Sequence, residues 1–586
     1  MKKIILSFSA LSFLFLSAIN AKATTIVVQN NNDSGAGSLR QSIIDASHGD
    51  TIRFDPNLIA GGNETIVLSS QIYYSKQLVI KGLYNSTDTL FVSGGNANRI
   101  FNITNTALVT IDSMVFVNGN PASNAGGALS IAGVHHVTIS NSVISNCSST
   151  ATGGAIDFRT NSSNNGTNSQ NSLDMNNSTL KNNSSASYGG GLYIGGSNIT
   201  LTLNNCNIFN NSAIDDGGGV FAFNFYSGSV SVDSSNINNN QAGAGGGLST
   251  ESFYSDFYTT INNSTFDSNT VSGTGGGIYS TSSETSSVIV ANSTFSNNSA
   301  DIAGGIYSGN SNSGNSVGIV SISNSTISDN HATNDVGGIY VAGNSADFTA
   351  TNATIYGNST ATSFNKCGGV QVFGTAFGMV NSTINITSSI VWTSVGDNIK
   401  HLTVDNGGNI VSTQPIISGG YNIFNDTPNG ASGTGDLTNV TVANLDLQAL
   451  ANNGGVTLTM QPNLGSVAIN AGNPNDLSDA QNSPIIGVRD IGATERSNTP
   501  TLVKSIANNE KELIKIYPNP VQNKLFFELD NEEVLQLEII DFSGKLILSK
   551  KDYTKKNVDV SSLSQGIYVL RISTQNGITT NRFVKQ

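Results

Sequence analysis

Between residues 126 and 387 one short phrase keeps returning, and that recurrence limits the fold more than any other property of the chain. A glycine pair or triplet leads into an apolar residue at Gly126, Gly153, Gly189, Gly217, Gly245, Gly275, Gly304, Gly337 and Gly368. A second phrase, of the type NST(I/F)xxN, ends on Asn183, Asn211, Asn240, Asn269, Asn298, Asn330 and Asn358, at intervals of 28 to 32 residues. A fixed period in this range marks a solenoid. The segments between the phrases are short and alternating, as in Val317-Gly318-Ile319-Val320, and are filled with Ser, Thr, Asn and Gly. That is strand and turn chemistry rather than helix chemistry. A coil of this length holds two or three short strands, which is what a parallel β-helix needs.

Stacked coils repeat every ~4.8 Å, so a corner has little room for Cβ or demands positive φ, and glycine meets both conditions. Asparagine tolerates the left-handed corner and can hydrogen-bond to its own copy one rung away. Leu192, Val220, Leu248, Ile278, Ile306 and Ile339 are expected as one inward column. Ile208, Ile237, Phe266, Phe295, Ile327 and Ile355 are expected as a second. The phrases resemble the GGAI and FxxN repeats of the polymorphic outer-membrane protein type, found on bacterial surface β-helices. The expected fold is therefore all-β: a right-handed parallel β-helix followed by a small C-terminal β-sandwich, the handedness following the rule for parallel crossovers.

Residues 1–23 read as a secretory signal, with Lys2 and Lys3, an apolar run from Ile4 to Ile19, and Ala21-Lys22-Ala23 at its end. That run is short for a membrane span, and no transmembrane helix is expected. Residues 24–125 are expected to hold an N-terminal cap and the first irregular coils. Ser38-Leu39-Arg40-Gln41-Ser42-Ile43 is similar to the opening segment, of Cys-Ser-Leu-Arg-Glu-Ala-Ile type, of many bacterial β-helices. Leu39, Ile43 and Ile44 would face one side of a short helix that plugs the open end. Regular repeats are expected over 126–400. The period is lost over 401–496, where GGYNIFND, LANNGG and RDIGATE resemble the end module described as a choice-of-anchor domain; this segment is expected to cap the C-terminal end.

After a polar linker at 497–511, Lys and Glu become common and strands alternate over 512–586 with a Ser543-Gly544 turn. This pattern reads as a β-sandwich. The residues Tyr517-Pro518-Asn519-Pro520, Gly544-Lys545, Gly566-Ile567-Tyr568 and Phe583-Val584-Lys585 resemble the type A sorting domain of the Bacteroidetes type IX secretion system. The resemblance implies Tyr517, Pro518, Asn519, Pro520, Gly544, Gly566, Tyr568 and Lys585 as the sorting signal. It also implies the type IX machinery as partner, and a protein that is secreted or held on the outer cell surface after periplasmic transit.

The net charge of −13 argues against nucleic acid and anionic membranes as partners. Cys147, Cys206 and Cys367 are too few and too scattered for a disulfide framework and are read as buried free thiols. Residues that follow the inward apolar position point outward, and that column runs Ser130, Asp157, Tyr193, Phe221, Ser249, Tyr279, Tyr307, Tyr340, Gln371. Tyr193, Phe221, Tyr279, Tyr307 and Tyr340 would form an aromatic stripe suited to sugar rings. The function expected is an adhesin-like surface protein that binds a polysaccharide, or a host or neighbouring cell surface.

The alternatives are a β-helix polysaccharide lyase or glycoside hydrolase, and a stiff spacer or coat that binds nothing. Catalysis is weakly indicated. Asp157 and Glu251 face outward but lie three repeats apart, and Asp215-Asp216 reads as a solvated turn. No metal-ligand spacing, catalytic residue set or cofactor motif is evident, so metal and cofactor are both expected to be none.

Overall fold

A computed structural model describes residues 23–84, 87–160, 171–309, 316–361, 366–375, 382–393, 395, 397–404, 410–476, 488–496, 515–528, 534–541, 546–574 and 577–586. The expected signal segment up to residue 22, the whole linker and the Gly544-Lys545 pair lie outside the described residues. The chain divides into two units, Met1–Asn498 and Thr499–Gln586.

The first unit is a parallel β-helix. Sheet 1 has 14 strands, from Thr25–Val28 to Ile417–Gly420; sheet 2 has 13, from Ile72–Tyr74 to Ile410–Thr413; sheet 3 has 13, from Glu64–Val67 to Ile423–Phe424. A shorter sheet 4, of eight strands, runs from Ser148–Ser149 to Ser359–Thr360. Each coil passes through sheets 2, 1 and 3 in that order, and between Ser148 and Thr360 it also crosses sheet 4 before the glycine turn. Pairing is parallel throughout, except where Ile410–Thr413 runs antiparallel against Asp397–Val404. Coiling thus begins at Thr25, well before the regular phrases, and continues past residue 400 to Phe424.

Both expected inward columns are fully enclosed: Leu192, Val220, Leu248, Ile278, Ile306 and Ile339, and Ile208, Ile237, Phe266, Phe295, Ile327 and Ile355, are each 0% exposed. Phe266 and Phe295 lie face to face at 4.7 Å between centroids, as one rung stacked on the next requires. The asparagine ladder is equally regular. Asn183, Asn211, Asn240, Asn269, Asn298, Asn330 and Asn358 form a buried chain in which each Nδ2 donates to the next Oδ1 at 2.8–3.0 Å.

The glycines satisfy both expected constraints at successive positions. Gly217 has φ 72°, and a Cβ there would meet the Cβ of Phe221 at 2.6 Å. A Cβ on the following Gly218 would meet carbonyl oxygens of the next coil at 2.6 Å. In the later coils Ala303 and Val336 take the positive-φ place, at 58° and 28°.

Leu39–Asp45 forms the expected short helix, capped by the Ser38 side chain. Leu39 and Ile43 seal the first coil, but Ile44 is 58% exposed, because one turn of helix presents only the Leu39–Ile43 face to the coil end. The segment after Phe424 is not confined to the C-terminal end. Thr294 donates to the Leu458 carbonyl at 2.6 Å, Thr457 donates to the Asn292 carbonyl, and the Ala493 amide donates to Thr354. It therefore runs back along the flank of sheet 3, with its own small core of Ile390, Ile423, Val440, Leu445, Ala468 and Ile491.

The second unit is the expected sandwich. A three-stranded antiparallel sheet (Lys515–Tyr517, Lys524–Glu528, Asn557–Asp559) and a four-stranded one (Leu546–Tyr553, Val534–Asp541, Gly566–Thr574, Gly577–Lys585) share one core. That core includes Leu525, Phe527, Leu537, Ile539, Val558, Leu570 and Phe583.

Candidate functional site

The register places Ser130, Asp157, Tyr193, Phe221, Ser249, Tyr279, Tyr307, Tyr340 and Gln371 opposite one another on successive strands of sheet 2. Adjacent rings of the column touch, Tyr193–Phe221 and Tyr279–Tyr307 stacked and Tyr307–Tyr340 tilted by 52°. Tyr193 and Phe221 are 5.6 Å apart, Tyr279 and Tyr307 5.3 Å, Tyr307 and Tyr340 5.4 Å. The column is not an open stripe, however. Phe221 is 3% exposed and Tyr307 7%, whereas Tyr193, Tyr279 and Tyr340 are half-buried.

The cover comes from the residues just ahead of each glycine turn. Tyr188 packs on Phe221 at 4.6 Å, and Ile302 packs against the Tyr279–Tyr307–Tyr340 cluster. These residues form a wall beside the outward column, in register through the Asp216–Ala244 and Thr274–Ile302 bridges.

The wall and the strand bring together two carboxyls that lie far apart in sequence. Asp216 stands in the wall and Glu251 on the outward face of the next coil, near enough for each to shift the other's protonation. Burial first, then the charge of Asp216, pushes the Glu251 carboxyl up to about 7; burial also raises Asp216. The pair thus holds one proton near neutral pH, and can both donate to and accept from a sugar hydroxyl. At the far end of the same face Asp157, 2% exposed, pairs with Arg159 at 2.8 Å, and the guanidinium lies 5.0 Å from the centre of the Tyr193 ring.

Asp216 differs from the solvated turn expected for Asp215-Asp216: only Asp215 faces outward, accepting from the Ser187 hydroxyl. The sequence signal was available. Tyr188, Asp216, Ala244 and Thr274 occupy equivalent places before their glycines, one coil apart, so Asp216 falls beside Glu251 once the coils are stacked.

Burial raises the phenols too, Tyr193 to about 12 and Tyr279 and Tyr340 further, so all three remain hydrogen-bond donors at any physiological pH. All three cysteines are buried and free. Cys147 takes the asparagine-ladder place, with its amide donating to Asn183, and Cys206 takes a serine-ladder place, with its amide donating to Ser235.

In the second unit the sorting residues converge although about 65 residues separate them in sequence. Asn519 donates to the Arg582 carbonyl at 3.1 Å and accepts from the Val584 amide at 2.8 Å. Gly566 pairs with Lys585 across the four-stranded sheet, and Tyr568 stacks on Phe583 at 5.7 Å. Tyr517 stacks on Phe526 at 5.8 Å and remains 47% exposed. The Tyr517–Pro520 turn and the last strand therefore make one surface.

Fold and motif together define an exported β-helix with a C-terminal address. Residues 515–586 match the family described as the secretion system C-terminal sorting domain. Through that domain the protein engages the type IX secretion machinery and is delivered to the cell surface or secreted. No curated protein matches the chain. Among the described residues no helix is long and apolar enough to cross a membrane.

Proposed function

We propose that the solenoid is an adhesin-like body that binds glycans along the outward face of sheet 2. The stack of Tyr279, Tyr307 and Tyr340 on consecutive coils carries this reading. Phe221 and Tyr307 set the spacing from within the stack, while Tyr193, Tyr279 and Tyr340 offer accessible ring edges and phenol donors. Sugar recognition combines such ring contacts with neutral hydrogen bonds and charge-sharing carboxyls, and Asp216 and Glu251 supply the latter.

Affinity electrophoresis of the full chain through gels containing a panel of soluble polysaccharides tests the reading. Retardation by at least one polysaccharide, abolished in Tyr279→Ala/Tyr340→Ala, is expected. Equal retardation of that variant would remove the stack as the binding surface.

A further inference from the structure

Around the corner from this column, where sheet 2 turns into sheet 1, a separate feature stands on two adjacent coils. The corner loops at 225–227 and 253–256 carry aromatic side chains that no neighbouring segment covers. Tyr226 is 40% exposed, Phe253 58% and Tyr254 68%; Tyr258, at the start of sheet 1, is 49% exposed. Tyr226, Phe253 and Tyr254 form one cluster, with Tyr226 and Tyr254 6.2 Å apart, Phe253 and Tyr254 6.2 Å, and Phe253 set edge-on against Phe223 at 5.3 Å. Single exposed rings are ordinary surface, but a contiguous group rimmed by polar residues marks a contact site.

Tyr258 also lines a cavity of about 540 Å³, together with Asn198, Ile199, Thr200, Ser227, Gly228 and Ser229. Every polar side chain in that lining is a neutral amide or hydroxyl. The nearest acid, Asp256, is already engaged by the Tyr258 hydroxyl at 3.0 Å and the Thr285 amide at 3.0 Å.

We infer that this corner is a second carbohydrate site, which takes a neutral saccharide with a sugar ring against Tyr254 and Tyr258 and its hydroxyls on Asn198, Thr200 and Ser229. The uncharged lining offers no cation to a uronate or sulfate, and Asp256 at the rim repels one. The site shares no residue with the sheet 2 column, so it stands whether or not that column binds.

The test is isothermal titration of the full chain with cellohexaose, maltohexaose and mannohexaose, beside hexagalacturonate as the acidic arm. At least one neutral hexasaccharide is expected to bind, with hexagalacturonate at least about tenfold weaker. Tyr254→Ala/Tyr258→Ala is expected to weaken that binding about tenfold or more, and Tyr254→Phe to keep it within about threefold. Both rings are on the surface, and an unchanged melting temperature in the alanine variant separates lost contact from lost fold. Tyr279→Ala/Tyr340→Ala is expected to leave this binding unchanged. Absence of binding by all three neutral sugars, equal binding of hexagalacturonate, or binding lost only in the sheet 2 variant would each overturn the inference, and the last would uphold the sheet 2 column instead.

Discussion

Each coil uses its polar residues in adjacent pairs with different tasks. Asn182, Asn210, Asn239 and Asn297 take the left-handed corner, with φ 52–55°, while Asn183, Asn211, Asn240 and Asn298 behind them form the buried ladder. A left-handed residue without a glycine or asparagine costs about 1–2 kcal/mol. A ladder residue carries more. Asn269 accepts from the Asn240 amide and side chain, and donates to the Ile237 carbonyl and to Asn298. Asn269→Ala removes four buried hydrogen bonds, although Asn240 Nδ2 keeps the Ile208 carbonyl and Asn298 Oδ1 keeps the residue 269 amide, and a loss of about 2–4 kcal/mol is expected. Urea denaturation should rank it clearly below Asn239→Ala, and equal midpoints for the two would contradict the division of tasks. Glu251 gives a pH dependence. Its carboxyl titrates at about 7 in the folded chain against 4.5 for the free group, so the folded state prefers the protonated form. The stabilisation is full below about 4.5 and is lost as pH rises through 7. Glu251→Gln should therefore gain roughly 1–2 kcal/mol over the native chain at pH 8 and nothing at pH 4. Thermal melts across that range check this, and parallel curves for the two proteins would rule out the coupling of Glu251 to Asp216.

At the scale of elements, the N-terminal helix is a lid. Leu39–Asp45 packs over the strands Thr25–Val28 and Ile72–Tyr74, which begin sheets 1 and 2. An uncovered first rung would present open strand edges to other copies. Leu39→Asp places a charge in a fully buried site, and a lower melting temperature with concentration-dependent association by light scattering is expected; a monomer with native stability would show that the helix is ornamental. Both inward columns and the asparagine ladder were legible because each depends on a short-range pattern repeated many times, and the lid because Leu39 and Ile43 sit one helical turn apart. The inward face of sheet 2 was less so. At its centre Thr250, Ser280 and Ser308 replace the apolar residues, and all three are 0% exposed. Thr250 donates to Ser280, and Ser286 joins Ser280 and Ser308, so the hydroxyls satisfy one another inside the core. Hydroxyls in a strand read equally well as inward or outward. The aromatic column was found in its correct register but read as open, because its cover, Tyr188 and Ile302, comes from the preceding turn and only stacking shows where that turn lies. For the same reason Asp216 and Glu251 were seen as separate.

At the scale of the molecule, two units carry two tasks. The C-terminal sandwich is the address, and its motif residues make one surface through Asn519 and the last strand. Removal of residues 515–586 should leave the chain in the periplasm, which fractionation and surface proteolysis of producing cells would detect; surface exposure of the truncated chain would show a second route of export. The β-helix is the cargo. On the proposed reading, its length places aromatic and hydrogen-bonding groups at fixed ~4.8 Å steps along one face. The central claim is that this face meets carbohydrate. A glycan array probed with the full chain beside Tyr279→Ala/Tyr340→Ala and Tyr254→Ala/Tyr258→Ala tests it most directly. The account predicts defined glycan signals in the native chain, one set lost in each variant. An array blank for the native chain would contradict it, and would leave the solenoid as a spacer whose rings only hold its coils together.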